Sequence, residues 1–207
     1  QRVVISTGTI NLQQQIFEKD IPFAKKIINQ DIKAVLLKGR QNYICKRRLF
    51  DALNEVDLFT EEDDELKKIE KWSLVTETGS KNDLPFMPSE AVWQRINSES
   101  DACMGNRCMY KNSCFVMKMR KLAGEAHIIV VNHHLLFADI EARLQGAGYE
   151  DTVVLPPYKR LILDEAHGIE NAATSFFSES LSKFRFIKQL NLLYRQKKGA
   201  AAGHIFT

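Results

Sequence analysis

No stretch of the sequence approaches the roughly 20 consecutive apolar residues that a membrane-spanning helix needs, and the N-terminus lacks the basic, apolar and small-residue zones of a secretory signal. A helical membrane span is therefore excluded, no membrane partner is expected, and the cytoplasm is the expected compartment. Charge of one sign is also scarce. The 29 Lys and Arg residues against 26 Asp and Glu leave a net charge of +3, so composition does not by itself declare a nucleic-acid partner, and the distribution of the basic residues matters more than their total. No internal repeat is visible, which excludes solenoid architectures. No GxxxxGK[ST] occurs either, so the loop that cradles nucleotide phosphates is missing from these 207 residues. What is present, 44% hydrophobic and 27% charged residues, suffices for one sizeable core or two modest ones.

The β-branched run RVVIST (2–7) stops at Thr7-Gly8-Thr9, and INLQQQIFEKDIPFAKKI (10–27) then spaces apolar residues at helical intervals. IKAVLLKG (32–39) reads as a second strand, and the basic segment 40–53 reads as helical, with Cys45 early in the helix. Residues from about 55 to 100 carry the acidic run EEDDE (61–65), Gly79, Pro85 and Pro88, with little sustained apolar periodicity. They read as an insertion with a charged, irregular surface. Apolar IIVV (128–131) suits a strand covered on both faces, and RLIL (160–163) supplies another short buried-strand signal ahead of a helix. Strands alternating with helices predict an α/β fold with a parallel sheet. The mixed basic and apolar tail from residue 181 reads as helical to about residue 198.

Two constellations carry chemistry. In LILDEAH (161–167), Asp164 and Glu165 directly follow three apolar strand residues, at the edge of a parallel sheet where α/β folds place their ligands. There Asp164 suits a magnesium that bridges nucleotide phosphates, and Glu165 suits the orientation of an attacking water. An isolated Asp-Glu pair is more often the favourable start of a helix, and it is the following Ala166-His167 that turns the reading toward catalysis.

The second constellation is cysteine. Fifty-seven residues separate Cys45 from Cys103, four lie between Cys103 and Cys108, and five between Cys108 and Cys114. Structural zinc usually takes its ligands as two close pairs, which these are not. Four thiolates can also ligate an iron-sulfur cluster, one per iron, so on the residues alone iron-sulfur and zinc stand level, with free buried cysteines a third reading. Basic residues such as Lys46 and Arg47, and later Arg107 and Lys111, surround the cysteines and interleave with Tyr43, Phe50 and Tyr110. Cations that track phosphates beside rings that stack on bases suit single-stranded DNA; the blander reading is a solvated surface over core aromatics. His133 and His134 follow a strand and do not fit the cysteine spacing, so they read as structural.

Taken in order, VVISTGTINLQQQI (3–16), LKGRQNYICKRRL (37–49), HIIVVNHHLLFADI (127–140) and LILDEAH resemble the motif Ia segment, the first cluster-cysteine segment, the strand after the last cluster cysteine and the Walker B motif of the XPD/DinG-type superfamily 2 DNA helicases. The resemblance implies a partial RecA-like (P-loop NTPase) parallel sheet with a mostly helical iron-sulfur insertion. Residues 1–40 would begin the first motor domain, 41–122 form the insertion, 123–178 continue the motor domain and 179–207 start a further helical insertion. It implies an ATP-dependent enzyme that moves 5' to 3' on single-stranded DNA and unwinds fork-like duplexes, using ATP with Mg2+ and a 4Fe-4S cluster held by Cys45, Cys103, Cys108 and Cys114. Asp164, Glu165 and His167 would serve catalysis, with Asp164 and Glu165 at the nucleotide, and Thr7, Thr9, Tyr43, Lys46 and Arg47 would meet DNA. With no phosphate loop, the chain is expected to be a piece of a larger, monomeric helicase, its cluster substituting for a core in the insertion. The alternative is a non-catalytic, metal-stabilised nucleic-acid-binding module.

Overall fold

The computed structural model describes residues 1–28, 31–54, 61–146, 148, 150–178, 196–197 and 200–201. They fall into two units, Gln1–Ala173 and Thr174–Thr207. In the second, Gln196–Lys197 pairs antiparallel with Ala200–Ala201, where the sequence suggested the end of a helix; the rest of that expected helix, 181–195, lies outside the described residues.

The first unit is built on a four-stranded, wholly parallel sheet of β1 (Val3–Thr7), β2 (Ala34–Leu36), β3 (Ile128–Asn132) and β4 (Arg160–Leu163), in the order β2-β3-β1-β4. These are the four apolar runs expected to form strands, and Val4, Ile129, Val130 and Val131 are fully buried, as central parallel strands require, whereas β4, expected to be a buried strand, lies at the sheet edge and is exposed along its length. The register sets Val3 opposite both Ile128 and Arg160, and Ser6 opposite Val131 and Leu163. Three strands therefore end level, delivering Ser6 and Thr7, His133, and Asp164 to one edge.

After β1, Thr9 accepts the Leu12 N–H at the start of α1 (Ile10–Gln15), and the helix continues through a π-helical turn, Ile16–Asp20, into α2 (Ile21–Ile28). Beyond β2 the structure departs from the expected helix. A 3-10 turn at Arg40–Asn42 leads to Tyr43 and Ile44, which form bridges with Ser80 and Asn97, and α3 (Lys46–Asn54) starts only after Cys45. The cause lies in the backbone donors: Ile44 N–H goes to Gly79 O and Cys45 N–H to Ile96 O, so neither is free for a helical turn.

The expectation of an irregular, coreless insertion is overturned. Residues Glu61–Val75 form the 15-residue helix α4, which buries Leu66, Ile69 and Trp72, and α5 (Glu90–Ile96) buries Val92, Trp93 and Ile96. Three apolar residues at three-residue spacing make a stripe too narrow to stand out in a charged sequence. α6 (Phe115–Glu125) adds Phe115, Met119 and Ala123 to the same face. A single apolar core runs from Val4 and Ile129 in the sheet through Ile44 and Leu49 to these helices. Each large buried side chain is worth about 1.5–3 kcal/mol over exposure, so apolar packing contributes to holding this segment.

Candidate functional site

At the strand ends, Asp164 N–H donates to Ser6 O over 2.8 Å, extending the β1–β4 ladder one residue beyond β4. Thr7 Oγ1 donates to Asp164 Oδ2 over 2.9 Å. The carboxylate is thus fixed by its own backbone and by a neighbouring strand, and its second oxygen is left for a ligand. Glu165 follows with φ 53° and ψ 42°, the one non-glycine residue in left-handed conformation among those described. Such a backbone costs about 1–2 kcal/mol, and it turns the Glu165 side chain outward at the sheet edge, where it is exposed. His167 Nδ1 lies 3.3 Å from Glu165 Oε2, with its side chain 81% exposed. Asp164 and Glu165 are a hard-oxygen pair suited to Mg2+, and they fit the magnesium nucleotide that the sequence implied.

Beneath this edge lies a histidine that sequence reasoning set aside. His133 opens α7 (His133–Leu144), is 1% exposed, and shares a 2.7 Å hydrogen bond between Nδ1 and Ser6 Oγ. Its Nε2 is buried without a partner. Burial pushes the ring's pKa below the usual histidine value, against the opposing pull of the Asp164 charge. A polar side chain directly after a buried strand, level with Ser6 and Asp164, was the available signal.

The cysteines lie in the turns that precede α3 and α6. All four are free thiols, with Cys103 exposed and the others partly so. Cys108 and Cys114 each end a short 3-10 turn, at Gly105–Arg107 and Lys111–Ser113. Gly105, held at φ +54°, donates its N–H to Cys103 Sγ over 3.4 Å. Arg47 Nη2 donates to Ala102 O over 2.7 Å, tying the helix after Cys45 to the turn before Cys103. Arg120, half-buried in α6, has its pKa lowered first by burial and then by the neighbouring Arg40 charge, against smaller opposing effects from Cys103 and Cys114. Among the described residues no three His, Cys, Asp or Glu side chains close around a single ion. A four-iron cluster imposes no such common point, because each thiolate binds its own iron. Free thiols, turns that expose sulfur and a backbone donor to sulfur fit such a cluster.

A model of the DEAD_2 family matches residues 9–186. The chain belongs to the DEAD_2 family. It is 35% identical over 200 residues to the ATP-dependent DNA helicase YoaA of Haemophilus influenzae, covering 94% of this chain and 31% of that protein. Against the ATP-dependent helicase DinG of Mycobacterium tuberculosis it is 29% identical over 199 residues, covering 87% of this chain and 29% of the relative. Against the ATP-dependent DNA helicase DinG of Escherichia coli it is 30% identical over 189 residues, covering 83% and 25%. The chain thus spans less than a third of the length of these DEAD_2 relatives.

Within this DEAD_2 chain the residues expected to meet DNA separate. Thr7 is fully buried and its hydroxyl is given to Asp164. Tyr43 is 2% exposed and its hydroxyl accepts the Lys38 N–H; burial pushes its pKa up to about 12. Its ring is part of the core and is closed to a base. Lys38 is itself buried on the wall of a cavity of about 420 Å3 between β2 and α6, donating to Ser80 Oγ, and burial lowers its pKa against the pull of Asp83 and Glu18. Arg47 is paired with Asp51 as well as Ala102, and Lys46 Nζ sits 4.9 Å from the centre of the Phe115 ring. Thr9 remains exposed. Outside the core, Phe50 is 53% exposed and stands 6.4 Å from the Tyr110 ring, close in sequence to exposed Arg107 and Lys111.

Proposed function

We propose that this chain forms part of the first motor domain of an ATP-dependent DNA helicase, with residues 41–122 inserted between strands of its RecA-like sheet and residues 1–40 and 123–178 supplying that sheet. The observation that carries the reading is the Asp164 carboxylate, fixed by Thr7 at the carboxyl edge of the parallel sheet beside an outward-turned Glu165. In this reading Asp164 and Glu165 hold Mg2+ and ATP and orient the water, and His167 contacts Glu165 from the solvent side. The names of the YoaA and DinG relatives support the activity.

Cys45, Cys103, Cys108 and Cys114 would hold a 4Fe-4S cluster, which pins the turns at 101–114 against α3. The DNA is single-stranded or fork-like, travelled 5' to 3', in the cytoplasm. On this chain Thr9, the Phe50–Tyr110 pair, Arg107 and Lys111 are the groups free to meet it, with Lys46 at the margin. Thr7 and Tyr43 act from within, Thr7 by linking the DNA-facing turn to the nucleotide side. The test is strand separation by the full-length parent on forked duplexes of each polarity, with ATP hydrolysis followed in the same samples. DNA-stimulated hydrolysis with unwinding from the 5' side is expected. Metal-dependent DNA binding without any hydrolysis would replace this reading with a non-catalytic binding module.

A further inference from the structure

β2 has a single neighbour in the sheet, β3. A parallel ladder bonds alternate residues to that neighbour, and the residues between them turn their main-chain groups the other way. Lys33 O accepts the Ile128 N–H, and Leu37 N–H donates to Val130 O over 2.9 Å, so Lys33, Val35 and Leu37 are the residues that face β3. The N–H and C=O groups of Ala34 and Leu36 therefore point away from the sheet. Both residues are half-buried, and among the described residues these main-chain groups find no protein partner.

This open edge faces the cavity of about 420 Å3, whose wall includes Ala34, Val35 and Leu36. The chain passes from β1 outward to β2 and then back inward to β3, so right-handed crossovers put the helices after β1 on one face of the sheet and α6 on the other. Phe17 and Glu18 line the cavity from the first side, Met119 and Leu122 from the second. The cavity thus straddles the strand edge. Lys38 Nζ, in its wall, is given to Ser80 Oγ over 3.1 Å, and Lys118 Nζ to Glu77 O over 2.8 Å. Glu18, Glu77 and Asp83 stand exposed around it, so the rim is acidic around an apolar interior.

We propose that this cavity is a docking slot in which a partner protein adds a short extended segment, apolar at its centre and basic at its ends, to the edge of β2. Strand addition supplies affinity through the main chain and specificity through side-chain pockets. The main chain of the segment pairs with Ala34 and Leu36, its central side chains fill the space between Phe17 and Leu122, and its cations reach Glu18 and Asp83. Docking there needs neither nucleotide nor DNA and stands apart from the helicase reading.

The probe is a capped, fluorescent peptide with two lysines on either side of a valine-isoleucine-valine centre, titrated by anisotropy into the full-length parent. Saturable binding is expected. N-methylation of the three central amides, which keeps every side chain and removes the strand donors, must weaken binding at least about tenfold, and glutamates in place of the lysines must weaken it as well. Ala34→Pro removes an N–H that the β3 ladder does not use, a change an edge strand tolerates, and must weaken binding at least about tenfold with the thermal midpoint kept. Should that variant not fold, Leu122→Arg, at a position 43% exposed, closes the slot and must do the same. No binding, equal binding of the methylated peptide, or equal binding of the acidic peptide overturns the proposal. Binding by the 207-residue chain but not by the parent would show the slot filled by the parent's own chain, and overturns the docking of a partner.

Discussion

Replacing Gly79 with alanine strikes the junction between the inserted helices and the cysteine turns. Gly79 has φ +65°, and a Cβ built there meets Phe115 Cγ at 2.3 Å and Cδ2 at 2.4 Å. Phe115 is 5% exposed, directly follows Cys114, and its ring carries the Lys46 ammonium. Gly79 O meanwhile accepts the Ile44 N–H, so the backbone cannot swing away without breaking the tie that orients the segment before Cys45. Two costs follow. A left-handed alanine costs about 1–2 kcal/mol, and overpacking a filled core costs about 1–3 kcal/mol. Their sum, about 2–5 kcal/mol, lowers the thermal midpoint of a chain this size by about 4–20 °C. Because Phe115 must move and Cys114 moves with it, iron retention falls too. Circular-dichroism melting and iron analysis of the same preparation measure both. Gly124, in α6 with nothing within 4 Å of its would-be Cβ, is the control: alanine there raises stability by up to about 1 kcal/mol through helix propensity. A Gly79→Ala midpoint within about 2 °C of the unmodified chain refutes the packing argument.

Anaerobically purified chain is expected to be brown and to carry about four irons, one per thiolate; one zinc and no iron would contradict it. Cys108→Ser should lose the metal and expose the 101–114 turns to protease while the buried helices α4 and α5 stay protected, since packing holds them. Lys111→Ala with Arg107→Ala should weaken single-stranded DNA binding and flatten its salt dependence, because fewer counterions are released, whereas Phe50→Ala should weaken it with less effect on the slope; fluorescence anisotropy across a salt series separates the two. In alkaline absorbance titration Tyr43, raised to about 12 by burial, should ionise late, and Tyr43→Phe should remove that phase. The sign is destabilising: the unfolded chain loses its Tyr43 proton near pH 10 and the folded chain does not, so stability falls as pH rises from about 10 to 12.

The strands were legible as uninterrupted apolar runs, which for β1 and β3 reflect the burial of central parallel strands, although the same pattern overstated the burial of the exposed edge strand β4. RVVIST, AVL and IIVV needed no partner to be seen, and DEAH after RLIL marked the sheet edge. What stayed hidden depended on contacts distant in sequence. Tyr43 reads as a surface aromatic among basic residues, and only its bridge to Ser80 and the Lys38 N–H on its hydroxyl show it to be core. Arg47 reads as a free cation until Asp51 and Ala102 are found beside it. α4 was lost because its apolar stripe is narrow and its first turn acidic. His133, read as structural, is indeed buried and bonded to Ser6, and only parallel pairing shows that it sits at the same sheet edge as Asp164.

The central claim is that Asp164 and Glu165 at this sheet edge organise ATP hydrolysis in a DNA-driven motor, and Glu165→Gln in the full-length parent tests it most directly. The change keeps the side chain's size and removes the carboxylate that orients water. The account requires DNA-stimulated turnover to fall by at least about 100-fold, with ATP and DNA both still bound. Turnover within a fewfold of the unmodified enzyme would contradict it.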